Sequence, residues 1–150
     1  MNLTRESEYA LNGLARLATY PAGTMVPMAE IAAEQKLPST FLAKIFQKLA
    51  RHGLLEAERG RGSGYMLSRE PSGIRVREIL EAVEGSMALR KCLLWGGNCG
   101  DDEPCPLHYR LKSLRPQLDA LLNEITLAEY MEQMSPQSDS PTSKDSRATS

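Results

Sequence analysis

A chain of 150 residues has room for one domain with an ordinary core and a tail. Its apolar fraction of 41% and charged fraction of 25% are typical of globular proteins, and an aromatic fraction of only 5% favours a helical core built from aliphatic side chains. The sequence holds neither the roughly 20 consecutive apolar residues of a membrane span nor an apolar N-terminal run typical of a signal peptide. We therefore expect a cytoplasmic protein.

The formal net charge of −1 conceals an uneven distribution. Segment 36–69 contains seven basic and two acidic residues, which gives this segment +5. A basic block within a nearly neutral chain is typical of an element that contacts nucleic-acid phosphates.

Apolar residues at helical spacing predict three helices in the first third of the chain. They cover residues 5–20, 28–35 and 39–52. Thr4 is the expected N-cap of the first helix, and Gly53 the expected left-handed residue that ends the third.

After the third helix the pattern changes to two short runs of strand-like alternation around a glycine-rich turn, which predicts a hairpin over residues 54–68. A further helix is predicted over residues 76–84. Two short helices, a turn and a hairpin are typical of a winged helix-turn-helix. The expected fold class is mainly α: a winged helix-turn-helix with a two-stranded wing and a long C-terminal dimerisation helix.

That C-terminal helix is predicted from leucines and one isoleucine at alternating spacings of four and three, an arrangement typical of a helix that pairs with another helix. They are Leu107, Leu111, Leu114, Leu118, Leu121 and Ile125. Pro116 predicts a kink, and packing of the helix on its own domain is the alternative to dimerisation. Thr126 and Glu129 form a capping box for a last short helix, and residues 135–150 are expected to be disordered.

The residues expected to bind DNA lie on the polar side of the third helix and at the tip of the wing. Hydroxyls, amides and basic groups contact base edges in the major groove or phosphates, and arginines between glycines suit a minor groove or the backbone. The candidates are Ser39, Thr40, Lys44, Gln47, Lys48, Arg59 and Arg61.

A glycine-bearing segment carries all three cysteines and indicates a metal or redox site. Cys92, Cys99, Cys105 and His108 are spaced C-x6-C-x5-C-x2-H. Structural zinc sites usually pair cysteines more closely, whereas widely spaced thiolates also hold iron–sulfur clusters. The spacing alone leaves zinc and an iron–sulfur cluster open.

Several motifs together resemble the bacterial winged-helix iron–sulfur regulators of the IscR/NsrR/RirA family. These motifs are the opening Met1-Asn2-Leu3-Thr4, the run LPSTFLAKIFQKLARHGLLEAERGRGSGYMLSR, the segment VREILEAVEG, the three-cysteine loop and NEITLAEYM, and the resemblance spans roughly residues 1–134. It implies a homodimer that binds palindromic double-stranded DNA operators and senses iron–sulfur status, redox state or nitric oxide through a cluster. The implied organisation is a winged-helix DNA-binding domain at 1–85, a cluster-binding loop at 86–106, the dimerisation helix and terminal short helix at 107–134, and the tail at 135–150.

By this resemblance the three cysteine ligands are Cys92, Cys99 and Cys105. The fourth ligand is His108 if the chain follows the IscR pattern of a 2Fe–2S site, or Glu8 on the first helix if it follows the NsrR pattern of a 4Fe–4S site. One extra residue between Cys92 and Cys99 departs from the IscR spacing. We favour His108 and a 2Fe–2S cluster, with 4Fe–4S as the alternative.

A cluster loop between the helix at 76–84 and the dimerisation helix implies that cluster ligation ties these two parts together. An enzyme is not expected, because the sequence offers no Ser/His/Asp arrangement and no phosphate-binding glycine loop before a helix. The alternatives are a zinc- or thiol-based winged-helix regulator and a small iron–sulfur electron carrier. The last would leave the basic helix and wing without a role.

Overall fold

The computed structural model describes residues 3–86, 88–94, 97, 99–100, 102 and 104–134. Within these residues the chain forms seven α-helices and one two-stranded sheet. In chain order they are α1 (Arg5–Leu17), α2 (Met28–Gln35), α3 (Ser39–Arg51), β1 (Leu55–Glu58), β2 (Gly64–Leu67), α4 (Val76–Glu84), α5 (His108–Leu111), α6 (Leu114–Glu124) and α7 (Leu127–Met134).

The three helices predicted before the wing are confirmed, with two ends moved: α3 ends at Arg51 rather than at residue 52, and α1 also ends earlier than predicted. Helix α1 ends at Leu17 rather than at residue 20, because the backbone N–H and the hydroxyl of Thr19 both donate to the Arg16 carbonyl and close the last turn. Gly53 ends α3 in the left-handed region with φ +74°, as predicted.

The core lies where α1, α2, α3, α4 and α7 meet. It is aliphatic apart from Phe46, which is fully buried, as are Leu14, Ile79 and Leu127. Helix α1 approaches α3 closely at Gly13, where a Cβ atom would lie 2.8 Å from the Phe46 ring. This packing fixes α3 against the domain and leaves its other face to solvent.

The wing is the predicted hairpin, extended by one residue from the connector before α2. Strands β1 and β2 pair antiparallel, from Leu55 opposite Leu67 to Glu58 opposite Gly64. Val26 forms a bridge to Tyr65, with both backbone hydrogen bonds at 3.0 Å. A Cβ atom on Gly64 would lie 2.4 Å from the Val26 carbonyl oxygen, so only glycine allows this approach.

The C-terminal helix is divided where the sequence predicts a kink. Helix α5 ends at Leu111, and α6 begins at Leu114 after a turn at 112–113. Pro116 thus lies in the first turn of α6, where its missing N–H has no intrahelical partner to lose. The division avoids the clash of the proline ring with the Lys112 carbonyl in a continuous helix.

Helix α7 returns the chain to the winged-helix core. Its predicted capping box is confirmed: the Thr126 N–H donates to the Glu129 carboxylate at 2.9 Å, and the Glu129 N–H donates to the Thr126 hydroxyl at 3.2 Å. The Leu127 N–H donates to the Ile74 carbonyl at 2.8 Å, and the Val76 N–H donates to the Ile125 carbonyl at 2.9 Å. The segment from α4 to α6 is therefore anchored at both ends beside the start of α4.

Within the described part of the chain, no helix combines the length and apolar character needed to cross a membrane. The predicted disordered tail, 135–150, lies outside the described residues.

Candidate DNA-binding surface and cysteine site

Helix α3 presents a row of polar side chains to solvent because its large apolar side chains face the core, except Phe41, which is 37% exposed. Leu42, Ile45, Phe46 and Leu49 are buried. The opposite side carries four of the candidate DNA-binding residues, all exposed: Ser39, Thr40, Lys44 and Gln47. These side chains share one surface of a single rigid helix.

Lys48, the fifth candidate on α3, is held by an ion pair. Its Nζ lies 2.6 Å from the Glu6 carboxylate on α1, and both side chains are partly exposed. The Lys48 ammonium, predicted from the sequence to contact DNA, is thus paired with a carboxylate of the same chain. The ion pair links α3 to the start of α1.

A second carboxylate, that of Glu84 at the end of α4, joins the same corner of the domain. It accepts hydrogen bonds from the Thr4 N–H at 2.7 Å, the Thr4 hydroxyl at 2.6 Å and the Ser7 hydroxyl at 2.7 Å. Burial raises the pKa of Glu84, but these hydrogen bonds and the charge of Lys48 outweigh burial, and the pKa lies below its ordinary value. Thr4 is the N-cap of α1 as predicted, yet its hydroxyl binds Glu84 and does not cap the helix.

Arg59 and Arg61 lie at the tip of the wing, in the turn that joins β1 to β2, and both are exposed. Gly60 and Gly62 have φ values of +91° and +75°, a conformation that side-chain-bearing residues rarely adopt. The alternation of arginine and glycine therefore gives a tight turn that carries two cations.

The cysteine segment is held by backbone hydrogen bonds although it contains little regular structure. The Cys92 N–H donates to the Gly97 carbonyl at 2.9 Å, and the Cys99 N–H donates to the Arg90 carbonyl at 3.4 Å. Cys92 is buried, Cys99 and Cys105 are half-buried, and none of the three forms a disulfide.

His108, a predicted ligand, contacts a cysteine side chain. Its Nδ1 lies 3.5 Å from the Cys99 sulfur, and the imidazole is only 4% exposed. The His108 N–H donates to the Cys105 carbonyl at 2.9 Å, so the first turn of α5 places the imidazole beside the loop. Among the described residues, no three or more His, Cys, Asp or Glu side chains are arranged to hold a metal ion.

Glu8, the alternative fourth ligand, is exposed on α1 and faces a different element. Burial and the negative charge of Glu8 both raise the pKa of Tyr130 on α7. The Tyr130 hydroxyl donates to the Asn12 side chain at 2.7 Å, one helical turn after Glu8. The structure therefore places Glu8 beside Tyr130, and it places His108 beside Cys99.

Helix α6 has one face on the domain and one face open to solvent. Leu122 packs against the buried cluster of Val76, Leu80 and Leu89, and Asp119 pairs with Arg77 at 3.4 Å. Leu107, Leu114 and Leu121, spaced seven residues apart, are 42%, 46% and 50% exposed. Packing on its own domain, one of the two predicted roles of this helix, is therefore seen on one face. The leucine face lies open, as the other predicted role, dimerisation, requires.

Three charged residues escaped the sequence reasoning. Glu6 and Glu84 read as ordinary helix acids, and only folding brings them to Lys48 and Thr4. Arg115 on α6 donates to the carbonyls of Leu89 and Lys91, the residues just before Cys92. The sequence held no signal for Arg115, because the predicted helix starts near residue 107 and only the observed division at 112–113 places Arg115 in the first turn of α6.

Comparison with known proteins agrees with this fold. The chain is 34% identical over 131 residues to the HTH-type transcriptional regulator IscR of Escherichia coli K12, an alignment that covers 87% of this chain and 80% of that protein. CymR, the global cysteine regulator of B. subtilis, has a TM-score of 0.70 at 22% identity, over 89% of this chain and 98% of that one. IscR of T. potens has a TM-score of 0.69 at 22% identity, over 95% and 94% of the two chains.

The family model described as Rrf2, iron-dependent transcriptional regulator, matches residues 3–133. This span covers every described helix except the last residue of α7. The chain belongs to the Rrf2 family: it is a DNA-binding, winged helix-turn-helix transcriptional regulator of the IscR-like kind, and not an enzyme.

Proposed function

We propose that this regulator binds a palindromic operator as a homodimer and that an iron–sulfur cluster on the cysteine loop controls its binding. The observation that carries the cluster assignment is the placement of buried His108 next to the Cys99 sulfur, on a loop whose three cysteines form no disulfide. A regulator of chromosomal operators works in the bacterial cytoplasm, and we place this protein there.

In the DNA complex, α3 enters the major groove with its exposed polar row. Gln47 suits a bidentate contact with adenine, and Lys44 suits guanine or a phosphate. Ser39 and Thr40 lie at the N-terminal end of α3, where hydroxyls and backbone amides suit phosphate oxygens. Arg59 and Arg61 on the wing reach the backbone or the adjacent minor groove.

The donor set fits an iron–sulfur cluster. Cys92, Cys99 and Cys105 supply three thiolates and His108 supplies an imidazole, a set that suits iron in a small cluster. A bound cluster supplies a centre that iron supply, oxidants or nitric oxide alter. The family description as iron-dependent supports iron over zinc, and the place of His108 supports 2Fe–2S over a 4Fe–4S site completed by Glu8.

Dimerisation uses the open face of the C-terminal helices. Leu114 and Leu121 lie seven residues apart on the open face of α6, Leu107 is exposed just before α5, and exposed leucines of this kind suit packing against a second copy of the chain. A two-fold dimer presents two copies of α3 to the two half-sites of a palindrome.

A thiol-based regulator is the second candidate. The absence of a preformed group of three metal-ligating side chains among the described residues favours it, as do the half-buried thiols of Cys99 and Cys105. In that case oxidation of the thiols, rather than loss of a cluster, changes the loop.

Anaerobic purification followed by visible spectroscopy and iron and sulfide analysis tests the cluster. We expect a coloured protein whose absorption is lost in His108→Ala and retained in Glu8→Ala. The opposite pattern assigns Glu8, while loss in neither variant rejects both protein ligands. A colourless protein with zinc, or with no metal and an oxidant-sensitive gel shift, rejects the cluster in favour of the zinc- or thiol-based regulator.

A gel shift on the protein's own promoter region at fixed salt tests operator binding. Failure of both the cluster-bound and the apo form to bind rejects the operator proposal.

A further inference from the structure

We infer that Arg115 is a positioning residue that couples the cysteine loop to helix α6. The inference rests on the proposed function, in which the loop carries the cluster and α6 carries the dimer contact. It assigns the coupling to one side chain that touches both elements.

Arg115 holds two carbonyls of the segment that leads into the first cysteine. One guanidinium nitrogen donates to the Leu89 carbonyl and the other donates to the Lys91 carbonyl, immediately before Cys92. The planar guanidinium presents parallel donors at a fixed spacing, which suits two neighbouring acceptors better than a lysine ammonium does. The contact therefore fixes both the position and the direction of the backbone at Cys92.

The same short segment positions a second cysteine. The Arg90 carbonyl, between the two carbonyls that Arg115 binds, accepts the Cys99 N–H at 3.4 Å. Leu89 is 3% exposed and packs with Val76 and Leu80 of α4. Residues 89–91 thus form a platform that joins α4, Cys92 and Cys99, and Arg115 is the side chain of α6 that binds it.

On α6 itself, Arg115 lies on the face that packs against the domain. Asp119 and Leu122, four and seven residues later, pair with Arg77 and pack against the α4 cluster. Leu114 and Leu121 lie on the open face proposed for dimerisation. A shift of the platform is therefore transmitted through Arg115 to the start of α6 and so to the neighbouring Leu114.

The positive charge of Arg115 is not stabilised by the backbone dipole of α6. Arg115 occupies the first turn, where the positive end of the helix dipole repels a cation. The contacts with Leu89 and Lys91 offset this repulsion, so the position is explained by the loop and not by the helix.

The test compares Arg115→Gln with Arg115→Lys and with Arg110→Gln, a matched control that removes an exposed cation from α5. Operator affinity is measured for the anaerobic cluster-bound protein and for the apo protein at fixed salt, together with the unfolding temperature of each apo variant. Coupling between two sites commonly changes affinity about 5–150-fold. We expect Arg115→Gln to reduce the holo-to-apo affinity ratio at least about fivefold, Arg115→Lys to reduce it less, and Arg110→Gln to leave it unchanged.

A ratio in Arg115→Gln equal to that of the wild type overturns the inference. An equal fall of both affinities with a lower unfolding temperature also overturns it, because that pattern describes a structural role only. Full wild-type behaviour of Arg115→Lys contradicts the role of the two-carbonyl contact.

Hydrogen exchange on the apo proteins separates this inference from the cluster assignment. We expect faster exchange of the Lys91 and Cys92 amides in Arg115→Gln and unchanged exchange in Arg110→Gln. A wild-type protein that never acquires a cluster rejects the proposed function, but the exchange result still tests whether Arg115 holds the backbone before Cys92. Unchanged exchange in Arg115→Gln rejects that role of Arg115 even where the cluster forms.

Discussion

The winged-helix core and the segment from the cysteine loop to α6 differ in how completely they bury their side chains. In the core, α1, α3 and α4 each bury several side chains completely, and one aromatic residue fills the centre. Helix α6 has no buried residue, and three leucines at its open face and just before α5 are about half exposed. The DNA-reading surface is therefore held rigidly by the core. The segment from the cysteine loop to α6, called the control segment below, buries less of its own surface, and in the function proposed above a ligand on its cysteines and a second copy on its leucines would complete it.

The two regions also differ in how they are connected. The core is held by contacts between elements distant in the chain, whereas the control segment is tied down at its ends, by the Arg75–Thr126 bridge and the Val76–Ile125 hydrogen bond. Between these ends, Arg115 and the Arg77–Asp119 pair join α6 to the rest of the chain, and Arg75 donates to the Glu124 carbonyl at the end of α6. A segment of this kind can change conformation without unfolding the winged-helix core.

The largest expected effect is on the stability of the core. Phe46→Ala removes a fully buried ring that packs edge-to-face on Tyr65 with centroids 5.3 Å apart and contacts Gly13. We expect the free energy of unfolding of the apo protein to fall by about 3–5 kcal/mol in urea titrations. Leu94→Ala, in the cysteine loop and 52% exposed, is expected to change it by less than about 0.5 kcal/mol. Similar losses in the two variants, at equal protomer concentration, contradict the contrast between the regions.

Leu114→Glu tests the open face of α6. Burial of one leucine in an interface contributes about 1.5–3 kcal/mol, so a charge there is expected to weaken dimerisation roughly 10–150-fold. Sedimentation at a series of concentrations measures this change, and circular dichroism checks that the fold persists. Met134→Glu, which alters an equally exposed side chain at the end of α7, is the control. A Leu114→Glu protein that associates like the wild type rules out this face as the interface.

Gln47→Ala tests the reading surface of α3. An exposed glutamine that binds one base bidentately contributes about 1–3 kcal/mol, and its removal is expected to relax specificity at one base pair in each half-site. Lys44→Ala provides the contrast, because loss of a phosphate contact weakens binding to all sequences and lowers the salt slope by about 1. Binding assays over operator variants and salt concentrations separate the two, and a uniform loss in Gln47→Ala excludes base readout by this residue.

Much of the core was predictable from the sequence because its signals are local. Apolar spacing gave α2 and α4 with both ends correct, Gly53 marked the end of α3, and Pro116 marked the division before α6. These features depend on a few neighbouring residues and on backbone sterics. The shared face of Leu114 and Leu121 was predictable for the same reason, whereas Ile125, predicted in the same seam, packs against the domain's own cluster.

The polar contacts between elements were not predictable, because they depend on where distant segments come to lie. Lys48 has the spacing of a DNA-facing residue, yet Glu6, 42 positions away, binds it. The sequence favoured His108 as the fourth ligand with Glu8 as the alternative, but only the fold brings the His108 imidazole to the Cys99 sulfur. The sequence does not distinguish Arg115 from the other arginines, because its partners, the carbonyls of Leu89 and Lys91, are brought to it only by folding.

The smallest expected effect concerns the corner where the two regions meet, at the end of α4. The Glu84 carboxylate accepts three hydrogen bonds from Thr4 and Ser7, and its pKa is lowered in the folded protein. A group whose pKa falls on folding stabilises the protein at pH values above its unfolded pKa, and this contribution is lost as the pH falls through the folded pKa. Glu84→Gln keeps the size of the side chain but removes the charge that favours these donors and the N-terminus of α1.

We therefore expect Glu84→Gln to lower the free energy of unfolding by about 1 kcal/mol at neutral pH. The difference from the wild type should shrink as the pH falls below the ordinary glutamate pKa, because the wild-type carboxylate then gains a proton as well. Urea titrations from neutral to acid pH measure this convergence, with Glu132→Gln, an exposed acid on α7, as the control. A difference that stays constant down to acid pH assigns the loss to shape rather than charge. The Glu84 corner would then contribute to packing of the winged-helix core and not to the electrostatic link among α1, α3 and α4.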